Sequence, residues 1–71
     1  TPRDVAQEVC ERLRAAVEAH PWEAAAAGLR VTISLGLCEA RPGDTPHLLI
    51  DRADAALYEA KRLGRNRVVL R

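Results

Sequence analysis

Apolar positions along this chain follow two different periods. Val5, Ala6, Val9, Cys10, Leu13, Ala16 and Val17 fall on one arc at 100° per residue, with Gln7, Glu8, Glu11, Arg14 and Glu18 opposite. Ahead of them stand a capping Thr1, a first-position Pro2 and an early acidic Asp4. The pattern predicts an amphipathic helix over 2–19. It ends at His20-Pro21, because the residue before a proline is pushed out of the helical region. Arg12 falls beside the apolar arc, where its stem is expected to cover the rim.

Residues 21–28 form a connector whose alanines favour a short helical turn between Pro21 and Gly28. From Leu29 the period drops to two. Val31, Ile33, Leu35 and Leu37 alternate with Thr32, Ser34 and Gly36, predicting a strand over 29–38. Its second face is small and uncharged, which reads as an interior strand closely approached on both sides. After a turn at 40–45, Asp44 or Thr45 caps a second helix over 46–63, opened by Pro46 and closed by Gly64. Leu49, Ile50, Ala53, Ala56, Leu57, Ala60 and Leu63 form its apolar arc, and Asp54, Tyr58 and Lys61 lie along one border. A terminal strand over 67–71 completes an α-β-α-β order, so the fold class is α/β.

Size makes that order incomplete. A chain of 71 residues buries only roughly 60% of its unfolded surface, and two strands with two helices cannot cover both faces and both edges of an interior strand. The chain therefore reads as half a domain, with further strands expected from a missing N-terminal part or from another chain. Cys10 and Cys38 could form one disulfide at most, and no metal-ligand spacing of Cys and His exists. Both read as inert small hydrophobes. His20 and His47 read as helix-end or surface residues, and Trp22 as a lid on the core. Eleven basic and ten acidic residues leave a net charge of +1, and aromatic residues make up 3%. Neither a charge-driven nucleic-acid surface nor a base-stacking platform fits those values. No stretch approaches the ~20 apolar residues of a membrane span, and no signal peptide appears, so a cytoplasmic setting is expected.

The single lysine, Lys61, draws attention because Arg65 follows one turn later. An ammonium and a guanidinium so placed can grip a polyphosphate. They can equally be helix-end cations facing the macrodipole and the last carbonyls. Asp54 either orients Lys61 or makes an ordinary ion pair or a hydrogen bond to the turn at 64–66. Asn66 is expected to tie that turn down, and Tyr58 to pack with a wet hydroxyl.

Two stretches carry a family resemblance. Val31-Thr-Ile-Ser-Leu-Gly-Leu37, followed by Ala53-Asp-Ala-Ala-Leu-Tyr-Glu-Ala-Lys-Arg-Leu-Gly-Arg-Asn-Arg-Val-Val69, resembles the C-terminal half of a GGDEF domain. Glu11-Arg-Leu-Arg14 and His20-Pro-Trp22 also resemble that family, the diguanylate cyclases, which condense two GTP into cyclic di-GMP and diphosphate. The resemblance implies an α+β, nucleotidyl-cyclase or palm-like sandwich with helices flanking a central sheet. It further implies that Lys61 and Arg65 contact the GTP phosphates, with Asp54 and Asn66 as possible supports. Arg12 matches an arginine that in some members touches product at an inhibitory site.

The Gly-Gly-Asp/Glu-Glu-Phe hairpin that names the family is not in this sequence, nor are the metal-binding aspartate and the Arg-x-x-Asp motif expected ahead of it. Mg²⁺ or Mn²⁺ is expected in the intact domain and no metal on this chain alone, which is then inactive by itself. Expected partners are GTP, cyclic di-GMP and a second copy or the missing N-terminal half, without nucleic acid or membrane. Two other readings stay open. One is a degenerate, non-catalytic module used for binding or dimerisation. The other is a small nucleic-acid-binding module using Arg62, Arg65, Arg67 and Arg71.

Overall fold

The computed structural model describes residues 3–71, so the capping expectations for Thr1 and Pro2 lie outside the described residues. The first amphipathic segment forms a helix, α1 (Arg3–Ala19), with Asp4 in its first turn. His20 and Pro21 end it. A single 3₁₀ turn at Trp22–Ala24 follows, and Trp22 Nε1 donates to the Val17 carbonyl at 2.6 Å. Trp22 thus closes the C-terminal end of α1, its ring tilted against that of His20 at 4.4 Å between centroids.

A β-α-β unit makes up the rest: strand β1 (Leu35–Leu37), helix α2 (Pro46–Arg62) and strand β2 (Val68–Leu70). The two strands pair in parallel, Leu35 opposite Val68, Gly36 opposite Val69 and Leu37 opposite Leu70. Parallel neighbours need a crossover, and α2 supplies it. Pro46 opens this helix, and Thr45 Oγ1 accepts a hydrogen bond from the Leu48 amide at 3.2 Å. Of the two possible caps, Thr45 is the one used. Asp44 is free for a different role, described below.

Gly36 explains how closely helix and sheet approach. A Cβ placed there would sit 2.7 Å from the Ala53 carbonyl oxygen and 2.8 Å from Leu57 Cα, both backbone atoms of α2. The helix meets the sheet with Ala56 and Ala60, the fully buried residues of the core. Small residues on both sides let the backbones come together. Cys38 lies on the same face as Gly36 by strand alternation, and its Sγ reaches the Leu49 carbonyl at 3.3 Å. Leu35, Leu37, Val68 and Leu70 alternate to the other face, where all four are half-buried. Helix α1 contacts both strands without contacting α2, which assigns it to that second face.

The expected strand over 29–38 is corrected to three residues. Ladder bonds need a neighbour, and β2 is the neighbour present: Leu35 N bonds the Arg67 carbonyl at 2.9 Å and Arg71 N bonds the Leu37 carbonyl at 2.9 Å. Among the described residues no strand pairs with residues 29–34 or with the free edge of β1. The terminal strand likewise forms its ladder at Val68–Leu70 only.

The first helix also departs from expectation. It turns Ala6, Cys10, Arg14 and Val17 toward the rest of the chain. The apolar Val5, Val9 and Leu13 stay 47%, 56% and 51% exposed. Half of the predicted apolar arc is therefore uncovered, and Arg14, expected on the polar side, is covered instead. Arg12, expected at the apolar rim, is 75% exposed and pairs with Glu8 at 2.6 Å. The accessible surface of 5205 Å² exceeds the roughly 4,400 Å² typical of a folded monomer of this mass. A radius of gyration of 14.3 Å, against about 11 Å for a compact chain of this length, agrees.

Candidate phosphate-binding site

The last turn of α2 builds the site. The helix runs out at Leu63 with the bond pattern of a Schellman cap: the Arg65 amide returns to the Ala60 carbonyl at 2.9 Å and the Gly64 amide to the Lys61 carbonyl at 3.3 Å. Closing it requires a left-handed residue, and Gly64 takes φ +118°. Arg65 and Asn66 continue at φ +63° and +48°, a conformation side chains other than glycine adopt at a cost. Three successive positive φ values turn the chain from the helix axis into β2.

That turn is held mainly by Asn66. Its amide donates to Ser34 Oγ at 3.1 Å, its Oδ1 accepts from Arg14 Nη1 at 2.9 Å, and its Nδ2 donates to Glu18 Oε2. Arg14 is itself gripped by Glu11, whose Oε1 accepts from Nε at 2.7 Å, and by Glu18 at 3.3 Å. The hydrogen bond to Arg14 pulls the Glu11 carboxyl below its ordinary range, and the same contact raises the Arg14 guanidinium above its own. Arg67 adds a bond from Nε to the Arg65 carbonyl at 3.1 Å.

Lys61 and Arg65 are both exposed at this helix end. Among the described residues, neither side chain has a hydrogen-bond or ion-pair partner. The carboxylate of Glu59 pairs instead with Arg71 at 2.8 Å and Arg62 at 3.8 Å. Two cations on either side of the Gly64 turn that ends α2, neither paired with an acid among the described residues, form a surface suited to an anion.

Asp54 is exposed, and among the described residues it makes neither an ion pair nor a hydrogen bond to the turn. Asn66 does that work. Tyr58 is 71% exposed. His47 faces Asp51 at 3.6 Å, and both cysteines are free. Among the described residues no group of three His, Cys, Asp or Glu side chains could hold a metal ion. Among the described residues no helix is long and apolar enough to cross a membrane.

Two features went unseen in the sequence. The Arg14–Glu18–Asn66 cluster was hidden because Arg14 looks like a polar-face residue, although its spacing to Cys10 and Val17 places it on their side. The Asp44–Arg52 pair was hidden because either residue could serve a helix end alone. Arg52 grips Asp44 with both terminal nitrogens, at 2.7 and 3.0 Å, and the Arg41 amide donates to the same carboxylate at 2.7 Å.

The family model described as "Diguanylate cyclase, GGDEF domain" matches residues 1–67. The response regulator PleD of Caulobacter vibrioides is 45% identical over 67 residues, covering 90% of this chain and 15% of that protein. The diguanylate cyclase DgcP of Pseudomonas aeruginosa is 37% identical over 68 residues, 96% of this chain and 10% of that protein. The diguanylate cyclase VdcA of Vibrio cholerae is 41% identical over 68 residues, 92% of this chain and 20% of that protein. The chain thus spans at most a fifth of the length of these relatives. No solved structure matches it. With a family model over nearly its whole length and relatives well above 30% identity, the chain belongs to the GGDEF domain family.

Proposed function

We propose that this chain is the C-terminal part of a catalytic GGDEF domain, converting two GTP to cyclic di-GMP and diphosphate, and that Lys61 and Arg65 grip the triphosphate. One observation supports this most directly: both cations lack a partner among the described residues, on a turn fixed by a Schellman cap and by Asn66. Charge that builds on the departing diphosphate is then met by groups already in position. A bare helix-end role would suit Lys61 and Arg62 equally, but Arg62 lies near Glu59 while Lys61 does not.

The described residues do not fit a metal site. In this reading, Mg²⁺ or Mn²⁺ belongs to carboxylates elsewhere in the intact domain. The product joins two identical nucleotides, so a second copy carrying the second GTP is the natural partner. The uncovered side of α1, with Val5, Val9 and Leu13, suits cover by the remaining part of the domain. GTP as substrate puts the domain in the cytoplasm.

The test is cyclic di-GMP formation by the full-length protein over a range of GTP concentrations. Lys61→Ala and Arg65→Ala should each lower kcat/KM roughly ten-fold or more, the loss of one charged hydrogen bond. Melting temperatures should stay close to the parent's, since both side chains are exposed. Unchanged turnover at limiting GTP in both variants would reduce the pair to helix-end cations.

A further inference from the structure

We infer that helix α1 sets the position of the phosphate-gripping arginine: Arg14 and Glu18 act through Asn66 as positioning residues for Arg65. The inference rests on the phosphate-binding reading of Lys61 and Arg65, and it adds to that site Arg14 and Glu18, which precede Asn66 by 52 and 48 positions in sequence.

The geometry runs in one connected set of bonds. Arg65 sits between Gly64 and Asn66 in a stretch of backbone at positive φ throughout, so its direction depends on what fixes the turn on either side. On the helix side the Schellman bonds to Ala60 and Lys61 fix it. On the strand side the fixing group is Asn66, held through its amide by Ser34 and through its side chain by α1. Arg14 is 16% exposed, unlike the freely solvated Arg12 two residues before it. Glu11 and Glu18 hold its guanidinium from two sides, so the donor offered to Asn66 is pre-oriented. Glu18 also accepts from Asn66, closing a ring of Arg14, Asn66 and Glu18. Glycine satisfies the turn's φ, and asparagine also tolerates it; what the Asn66 side chain adds is its pair of bonds to Arg14 and Glu18 on α1. A gripping arginine moved by about 1 Å can forfeit much of its benefit.

The test uses Asn66→Gly in the full-length protein, because glycine accepts φ +48° while removing both side-chain bonds. Arg14→Gln, Arg65→Ala and the double variant of Asn66→Gly with Arg65→Ala complete the set. GTP dependence of cyclic di-GMP formation and thermal melting are read for each. The expected result is a roughly ten-fold fall in kcat/KM for Asn66→Gly, measured well below each variant's melting temperature, and a smaller fall for Arg14→Gln. In the Arg65→Ala background, Asn66→Gly should add less than about two-fold, since there is no arginine left to position. Multiplicative losses in the double variant overturn the inference. So does an unchanged kcat/KM for Asn66→Gly where Arg65→Ala alone lowers it. If Arg65→Ala itself leaves kcat/KM unchanged, it is the phosphate-binding reading that fails, and this inference goes with it.

Discussion

Arg52 holds Asp44 with both of its terminal nitrogens, Nη2 to Oδ1 at 2.7 Å and Nη1 to Oδ2 at 3.0 Å, and so ties the body of α2 to the loop before its first residue. Arg52 Nη1 also donates to the Glu39 carbonyl at 2.8 Å, just beyond β1. One guanidinium thereby joins the end of the strand, the loop and the helix. The Asp44 side chain is only 9% exposed, and a planar fork suits this geometry better than a lysine ammonium.

A pH dependence follows from that pair. The Arg52 hydrogen bonds, helped by the Arg41 amide, hold the Asp44 carboxyl at about 2 against an ordinary 3.8, while its burial pushes weakly the other way. A carboxyl depressed on folding contributes stability that is fully present above its unfolded value and is lost as pH falls through the folded one. Asp44 should therefore contribute fully above about pH 4 and lose its contribution as pH drops toward 2. Melting of Asp44→Asn and the parent in the full-length protein, from pH 7 to pH 2, checks this. The variant should melt lower at pH 7, and the gap should close at the acid end. A constant gap across the series would mean that the charge on Asp44 is not what stabilises the loop.

Gly36 should tolerate no side chain. A Cβ there collides with backbone atoms of α2, which cannot swing aside as a flexible side chain would. Gly36→Ala should cost at least ~1–3 kcal/mol, and Gly36→Val more, by overpacking. Denaturant unfolding of the full-length protein measures it. A stability loss below about 0.5 kcal/mol, the range of an ordinary surface substitution, would show that helix and sheet do not approach this closely.

Thr45 provides a milder test of the same helix. Thr45→Ala removes the acceptor for the Leu48 amide and should destabilise by ~1 kcal/mol, with Thr45→Ser or Thr45→Asp restoring most of it. If alanine and serine behave alike, the cap contributes nothing measurable.

The 71-residue chain by itself should not behave as an independent globule. Among the described residues the fully buried ones are two alanines, while Val5, Val9, Leu13, Leu48, Ile50 and Leu63 are exposed. Sedimentation should show association, or circular dichroism a broad, concentration-dependent melt. A monomer with a sharp, concentration-independent transition would contradict this.

The sequence by itself determined the local elements and the family. Helix periods, the Pro46 opening and the Gly64 stop are local, since each depends on residues within a turn or two. The stretch from Ala53 to Val69 carries the family because helix face, cap and turn residues there recur at fixed short spacings. What the sequence could not determine was which side of each element would be covered. A strand pattern over 29–38 says that the segment can pair, but only a neighbouring strand turns it into a ladder, and β2 reaches just Leu35–Leu37. Arg14 shows the same limit in a single residue. Its charge marked it as solvent-facing, and only the arrival of Asn66 from the far end of the chain made that position a polar contact between α1 and the turn. Long-range partners decide burial, because the cost of covering a charge depends on the hydrogen bonds waiting where it lands.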